Sequence, residues 1–122
     1  MITTRIRSIL RAGLFLTLMF GSATTLAVAA QEASTTVPQT WQMLDYLATD
    51  YAGAVKDGTV RSASEYAEMR EFTATARQRI QSLPPTTATP VLVRQANQLI
   101  ASVEAKASPS QVAEEAHALA DA

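Results

Sequence analysis

The 122-residue chain contains no cysteine. That excludes disulfides, thiolate metal sites, thiol catalysis and covalent haem attachment through a C-x-x-C-H motif. Histidine occurs once, at His117. One histidine without an identifiable orienting partner does not organise the several serines into a hydrolytic triad. The Glu-x-x-His pairs of a ferritin-like di-iron site are missing as well. Neither G-x-G-x-x-G nor G-x-x-x-x-G-K occurs, so nucleotide binding has no motif behind it. Strand-period alternation is absent too. These gaps point away from an enzyme and away from a β-rich fold.

What is present begins with charge and hydropathy at the N-terminus. Arg5, Arg7 and Arg11 precede an apolar run from Ala12 to Phe20. Gly21 and Ser22 break that run, and Ala27, Val28 and Ala29 supply a small-x-small cleavage site. This order defines a secretory signal peptide over residues 1–30. The competing reading is a membrane anchor from Ala12 to Ala30. Ser22, Thr24 and Thr25 dilute that segment, and no basic residue follows to stop transfer. Without Arg5, Arg7 and Arg11, and with all 11 acidic residues kept, the formal charge moves from −1 to about −4. An acidic surface of this kind does not suit nucleic acid or anionic lipid. The exported part, of roughly 90 residues, must hold itself together by packing alone.

The remainder reads as all-α, a small up-down bundle of about four helices. Residues 31–37 are Ser/Thr-rich and aperiodic, a flexible lead-in to a helical domain over 38–122. Helix one is expected from Pro38–Thr40 to about Asp57, with Leu44, Leu47, Tyr51, Ala54 and Val55 inward and Gly58 closing it. Ser62 and Glu65 form a capping-box signature for helix two. Tyr66, Met69, Phe72, Ala76, Ile80 and Leu83 would line its buried face, and Pro84–Pro85 stop it. Thr89 is expected to cap helix three ahead of Pro90, with Leu92, Ala96, Leu99, Ile100 and Val103 inward. Ser108 and Pro109 open helix four, where Val112, Ala116, Leu119 and His117 would turn inward. That helix reaches Ala122 in mid-pattern, as if it continued in a longer parent chain. Short links favour antiparallel neighbours.

The residues with chemistry to offer are carboxylates and phenols. Asp45 and Tyr46, then Asp50 and Tyr51, lie on helix one; Glu65, Glu68 and Glu71 recur at three on helix two. Such hard oxygen donors suit iron(III), calcium or magnesium. They equally suit a solvated helix face, and Glu65 is the member most easily consumed by its cap. A Met on helix one, Met43, with His117 on helix four could ligate a b-type haem, or Met43 and Met69 could fill the core. Trp41 would cover one end of the core.

Taken together, Leu44, Asp45, Tyr46, Leu47, Ala48, Thr49, Asp50 and Tyr51, then Gly58, Thr59 and Val60, then Glu65, Tyr66, Ala67, Glu68, Met69, Arg70, Glu71 and Phe72 form a distinctive pattern. It resembles the extracytoplasmic N-terminal domain of the bacterial high-affinity iron permease family. There a D-Y…D-Y helix, a G-x-V link and an E-Y-x-E-x-x-E-F helix follow a signal peptide. The resemblance covers Trp41 to about Ala120. It implies a periplasmic accessory domain associated with iron uptake, whose partners are an iron permease or cytochrome c components. Asp45, Asp50, Glu65, Glu68 and Glu71 match the acidic positions of the pattern; Asp45, Asp50, Glu68 and Glu71 are the metal set it suggests. The family's Arg-Glu-x-x-Glu motif is not supplied, because Arg70–Glu71 is followed by Phe72, Thr73 and Ala74. Two other readings stand beside this one: a helical interaction module without metal, and a b-type haem electron carrier.

The signal-peptide reading makes a direct prediction. Intact-mass spectrometry of the exported protein should give an N-terminus near Ala30 or Gln31, and a mature form retaining Met1 or Arg5 would contradict it.

Overall fold

The computed structural model describes residues 22–122. The basic residues and apolar run of the expected signal peptide lie outside them; its cleavage site falls within the first helix. The elements are α1 (Ser22–Ala54), a two-strand ribbon of β1 (Val55–Lys56) and β2 (Thr59–Val60), α2 (Ala63–Ser82), α3 (Thr89–Glu104) and α4 (Pro109–Ala120). Each helix packs against two neighbours, α1 on α2 and α4, α3 on α2 and α4. The result is an up-down-up-down four-helix bundle, the architecture expected from the short links. Among the described residues no helix is long and apolar enough to cross a membrane.

The core is a contiguous set: Leu44, Leu47, Tyr51, Ala54 and Val55 from the first hairpin arm, Met69, Ala76 and Ile80 from α2, Ala96, Leu99 and Val103 from α3, and Val112, Ala116 and Leu119 from α4. Their spacing of three and four is what puts one stripe of each helix inward. Two N-caps form as the sequence dictates. Ser62 Oγ accepts from the Glu65 N–H at 3.4 Å, and Ser108 Oγ accepts from the Gln111 N–H at 3.3 Å.

Several expectations are corrected. Residues 31–37 are helical and continuous with α1. Their hydroxyls find partners within the helix: Ser34 Oγ donates to the Gln31 carbonyl at 2.7 Å and Thr35 Oγ1 to that of Glu32 at 3.0 Å. Hydroxyls that bond back three residues permit a helix where composition suggests coil. Pro38 sits inside α1; the Ser34 carbonyl it leaves without a donor is on an exposed face. At the other end α1 stops at Ala54, earlier than Asp57. The chain reverses through Asp57 (φ 52°) and Gly58 (φ 69°), pairing Val55 with Val60 and Lys56 with Thr59. Positive φ at both central residues is the type I′ hairpin requirement, which Asp-Gly meets at least cost. Gly58 therefore serves a hairpin turn and not a helix C-terminus.

Thr89 does not cap α3. Its hydroxyl accepts from the Thr86 N–H at 2.8 Å and ties the preceding loop instead. Trp41 is 48% exposed and covers no core. His117 is at the surface, not inward. The buried stripe of α2 is Met69, Thr73, Ala76 and Ile80. Phe72, expected in the core, is half-buried and lies edge-on to the Tyr46 ring, with centroids 5.5 Å apart.

Where α3 turns into α4, two phenols converge. Lys106 takes the left-handed conformation (φ 54°), with its N–H donating to the Val103 carbonyl and the Ala107 N–H to that of Ser102. This is a Schellman closure with lysine in the usual glycine position. Tyr66 donates to the carbonyls of Val103 (3.1 Å) and Glu104 (3.4 Å), while Tyr51 donates to that of Ala107 (3.0 Å). The Lys106 ammonium sits 5.7 Å above the Tyr66 ring.

Burial, then the neighbouring Tyr66, push the Tyr51 phenol up to about 12 from an ordinary 10. The folded state thus keeps a proton that the unfolded chain releases. Its contribution is complete below about pH 10 and is lost as pH rises toward about 12. Urea denaturation across that interval should show falling stability. Tyr51→Phe should lose about 1 kcal/mol at neutral pH and decline less steeply in alkali. An equally steep alkaline decline in the variant would assign the effect to another group. Core truncation gives a second check. Leu47→Ala should cost roughly 2–5 kcal/mol, and Phe72→Ala less, because Phe72 is only half-buried. The reverse order of the two denaturation midpoints would place Phe72 in the core after all.

Candidate functional site

The tight Asp57–Gly58 turn sets the register of α1 against α2. Tyr46 lies opposite Phe72, and Gly53 lies opposite Glu65. On α1 the positions 46, 50 and 53 share a face at helical spacing; on α2 so do 65, 68 and 72. The two rows meet along the α1–α2 seam, with Phe72 at its inner edge against the core.

Tyr46 reports the field there. Its phenol is held above the ordinary value of 10, first by the Asp50 carboxylate, then by Glu68, by partial burial and by Glu65. Negative charge beside a phenol opposes the phenolate, so three carboxylates from two helices act on one hydroxyl. Tyr46 is 45% exposed, and Asp50, Glu65 and Glu68 are exposed. Phenol and carboxylates are hard oxygen donors. They border an open face. Among the described residues no three of His, Cys, Asp and Glu draw together closely enough to enclose a metal ion.

Asp50 and Glu68 of the sequence-derived metal set are thus neighbours of one phenol, and Glu65 joins them. Asp45 is not part of this group. Its Oδ1 lies 3.9 Å from His117 Nε2 across the α1–α4 contact. Glu71 stays exposed on α2, outside the set that acts on Tyr46. Met69 fills the core, as one reading of the methionines had it, while Met43 is half-buried and His117 lies at the surface. Tyr46 was among the phenols picked out from sequence, but Gly53 escaped selection. Folding the chain back at Asp57–Gly58 and pairing the two rows would have found it.

Elsewhere a polar cluster joins α3 to α4. Glu115 Oε1 accepts from Ser102 Oγ at 3.0 Å and from Gln111 Nε2 at 3.1 Å, with Ser102 itself buried. Arg70 and Glu104 pair at 3.7 Å across α2 and α3, both well exposed. An open cleft of about 340 Å³ lies between Glu32, Ala33 and Thr36 of α1 and residues 82–85 after α2, at the far end from the carboxylate seam.

No curated protein and no solved structure gives a match. The family model of the iron permease-associated 4-helix bundle domain matches residues 27–122. It covers every helix described above except the start of α1, and the fold it names is the fold observed. The chain belongs to the iron permease-associated 4-helix bundle domain family.

Proposed function

We propose that this domain is a periplasmic accessory module of an iron-uptake system, exported by its N-terminal signal, and that it gathers iron ions on the α1–α2 seam for a permease. The observation that carries this reading is the register of α1 on α2, with Tyr46 against Phe72 and Gly53 against Glu65, which puts Asp50, Glu65 and Glu68 along one seam; the raised Tyr46 phenol supports it. Iron here is cargo, not a resident cofactor. Open carboxylates hold a hard cation loosely enough to release it, whereas a closed cage would retain it. A bound ion would stabilise the fold by linkage, since the unfolded chain does not bring these groups to one seam. Asp45 and Glu71 would add to the acidic surface without entering the group at Tyr46. The module performs no catalysis in this reading, and an iron permease or a cytochrome c component is its partner.

A second reading has its own observation. Val37 and Trp41 are exposed apolar side chains one helical turn apart on α1, which suits a helical interaction module that touches a protein partner and binds no metal.

Titration calorimetry of the protein with ferric citrate separates the two. Binding should be measurable in the parent and about tenfold weaker in an Asp50→Asn, Glu68→Gln double variant, with Glu71→Gln close to the parent. Tyr46→Phe should abolish any visible phenolate-to-iron absorption. No binding in the parent, or equal binding in the double variant, would leave the interaction module as the function.

A further inference from the structure

The Ser62–Glu65 pair is half of a capping box. Ser62 Oγ accepts from the Glu65 N–H, but the reciprocal bond, from the Ser62 N–H to the Glu65 carboxylate, does not form. The Ser62 N–H instead turns to the Ala54 carbonyl at 3.5 Å, where the Arg61 N–H also donates at 2.8 Å. That carbonyl belongs to the last residue of α1 and needs donors. The hairpin thereby takes the group that would have bound Glu65, and the Glu65 side chain is released from its own helix. It lies against α1 at Gly53. A Cβ built at that glycine would stand 2.8 Å from Glu65 Oε2.

We infer that Gly53 is a positioning residue: by lacking a side chain it admits the Glu65 carboxylate onto α1, beside Asp50 and Glu68. This rests on the proposed iron-gathering seam for its purpose, but its geometry is independent of it. Gly53 is helical, exposed and without positive φ, so the backbone itself does not require glycine there. Alanine would ordinarily be the better helix residue at such a position. The clash partner is the far end of a flexible side chain, which can swing away. Gly53→Ala should therefore leave the fold intact while it evicts one carboxylate from the seam.

The test compares the parent, Gly53→Ala and Glu65→Gln. Proton NMR is read for the nuclear Overhauser contact between the α-protons of residue 53 and the γ-protons of Glu65. The contact should be present in the parent and lost in Gly53→Ala, whose melting temperature should equal or exceed that of the parent. No contact in the parent, its survival in Gly53→Ala, or a lowered melting temperature overturns the inference. Ferric citrate binding, if present in the parent, should weaken about threefold in Gly53→Ala and in Glu65→Gln, the scale of one exposed charge pair. Absence of iron binding in the parent would defeat the functional reading alone, since the proton contact still decides the role of Gly53.

Discussion

The bundle depends on how the C-terminal end of α3 is closed. A helix ends with four carbonyls lacking intrahelical donors, and this one ends inside a contact between all four helices. Its carbonyls are satisfied from three directions: by the left-handed turn at Lys106, by the Tyr66 hydroxyl from α2, and at Ala107 by the Tyr51 hydroxyl from α1. Tyr51 is wholly buried, so its hydroxyl cannot turn to water instead. One hydrogen bond thus fixes the height of α1 against the α3–α4 turn, and the neighbouring one fixes α2. Since α1 and α2 are also tied by a two-residue turn, their mutual register has no freedom left. The seam between them inherits its geometry from these constraints in the core.

That dependence explains what could be read in advance. Leu44, Leu47, Tyr51, Met69, Ala76, Leu99, Val103 and Val112 repeat at helical spacing, and burial follows from periodicity because one stripe per helix must leave water. Ser62 and Ser108 cap because their hydroxyls reach a nearby N–H with no help from the rest of the fold. The departures share a different cause. Thr35 reads as part of a flexible lead-in, yet it donates to the Glu32 carbonyl at 3.0 Å within a continuous helix. Phe72 has the hydrophobicity of a core residue but meets Tyr46 at the edge of the seam. In both cases a neighbour overrides the residue's own preference. Asp57–Gly58 was the opposite situation: a local hairpin signal was present and outweighed in reading by the glycine's suitability as a helix stop.

The candidate site was legible in kind and not in membership. Acidic residues and tyrosines on the first two helices could be picked out, but spacing along one helix cannot say which face meets a second helix. Only the pairing of 46 with 72 and of 53 with 65 sorts Asp50, Glu65 and Glu68 together and leaves Asp45 to His117. A capping box at Ser62 was a reasonable local solution for Glu65. It lost because the end of α1 competes for the same N–H.

That competition bears on how a small domain can hold like charges near one another. Carboxylates on a flexible surface separate until water and salt screen them. Here Asp50 and Glu68 sit on helices whose register is set from the core, and Glu65 is laid onto α1 where a side chain is missing. None of the three forms an ion pair with a lysine or arginine among the described residues, although Arg70, one turn from the seam, pairs with Glu104 on α3. Arg70 is thereby engaged toward α3, and the seam carboxylates have no basic ion-pair partner among the described residues.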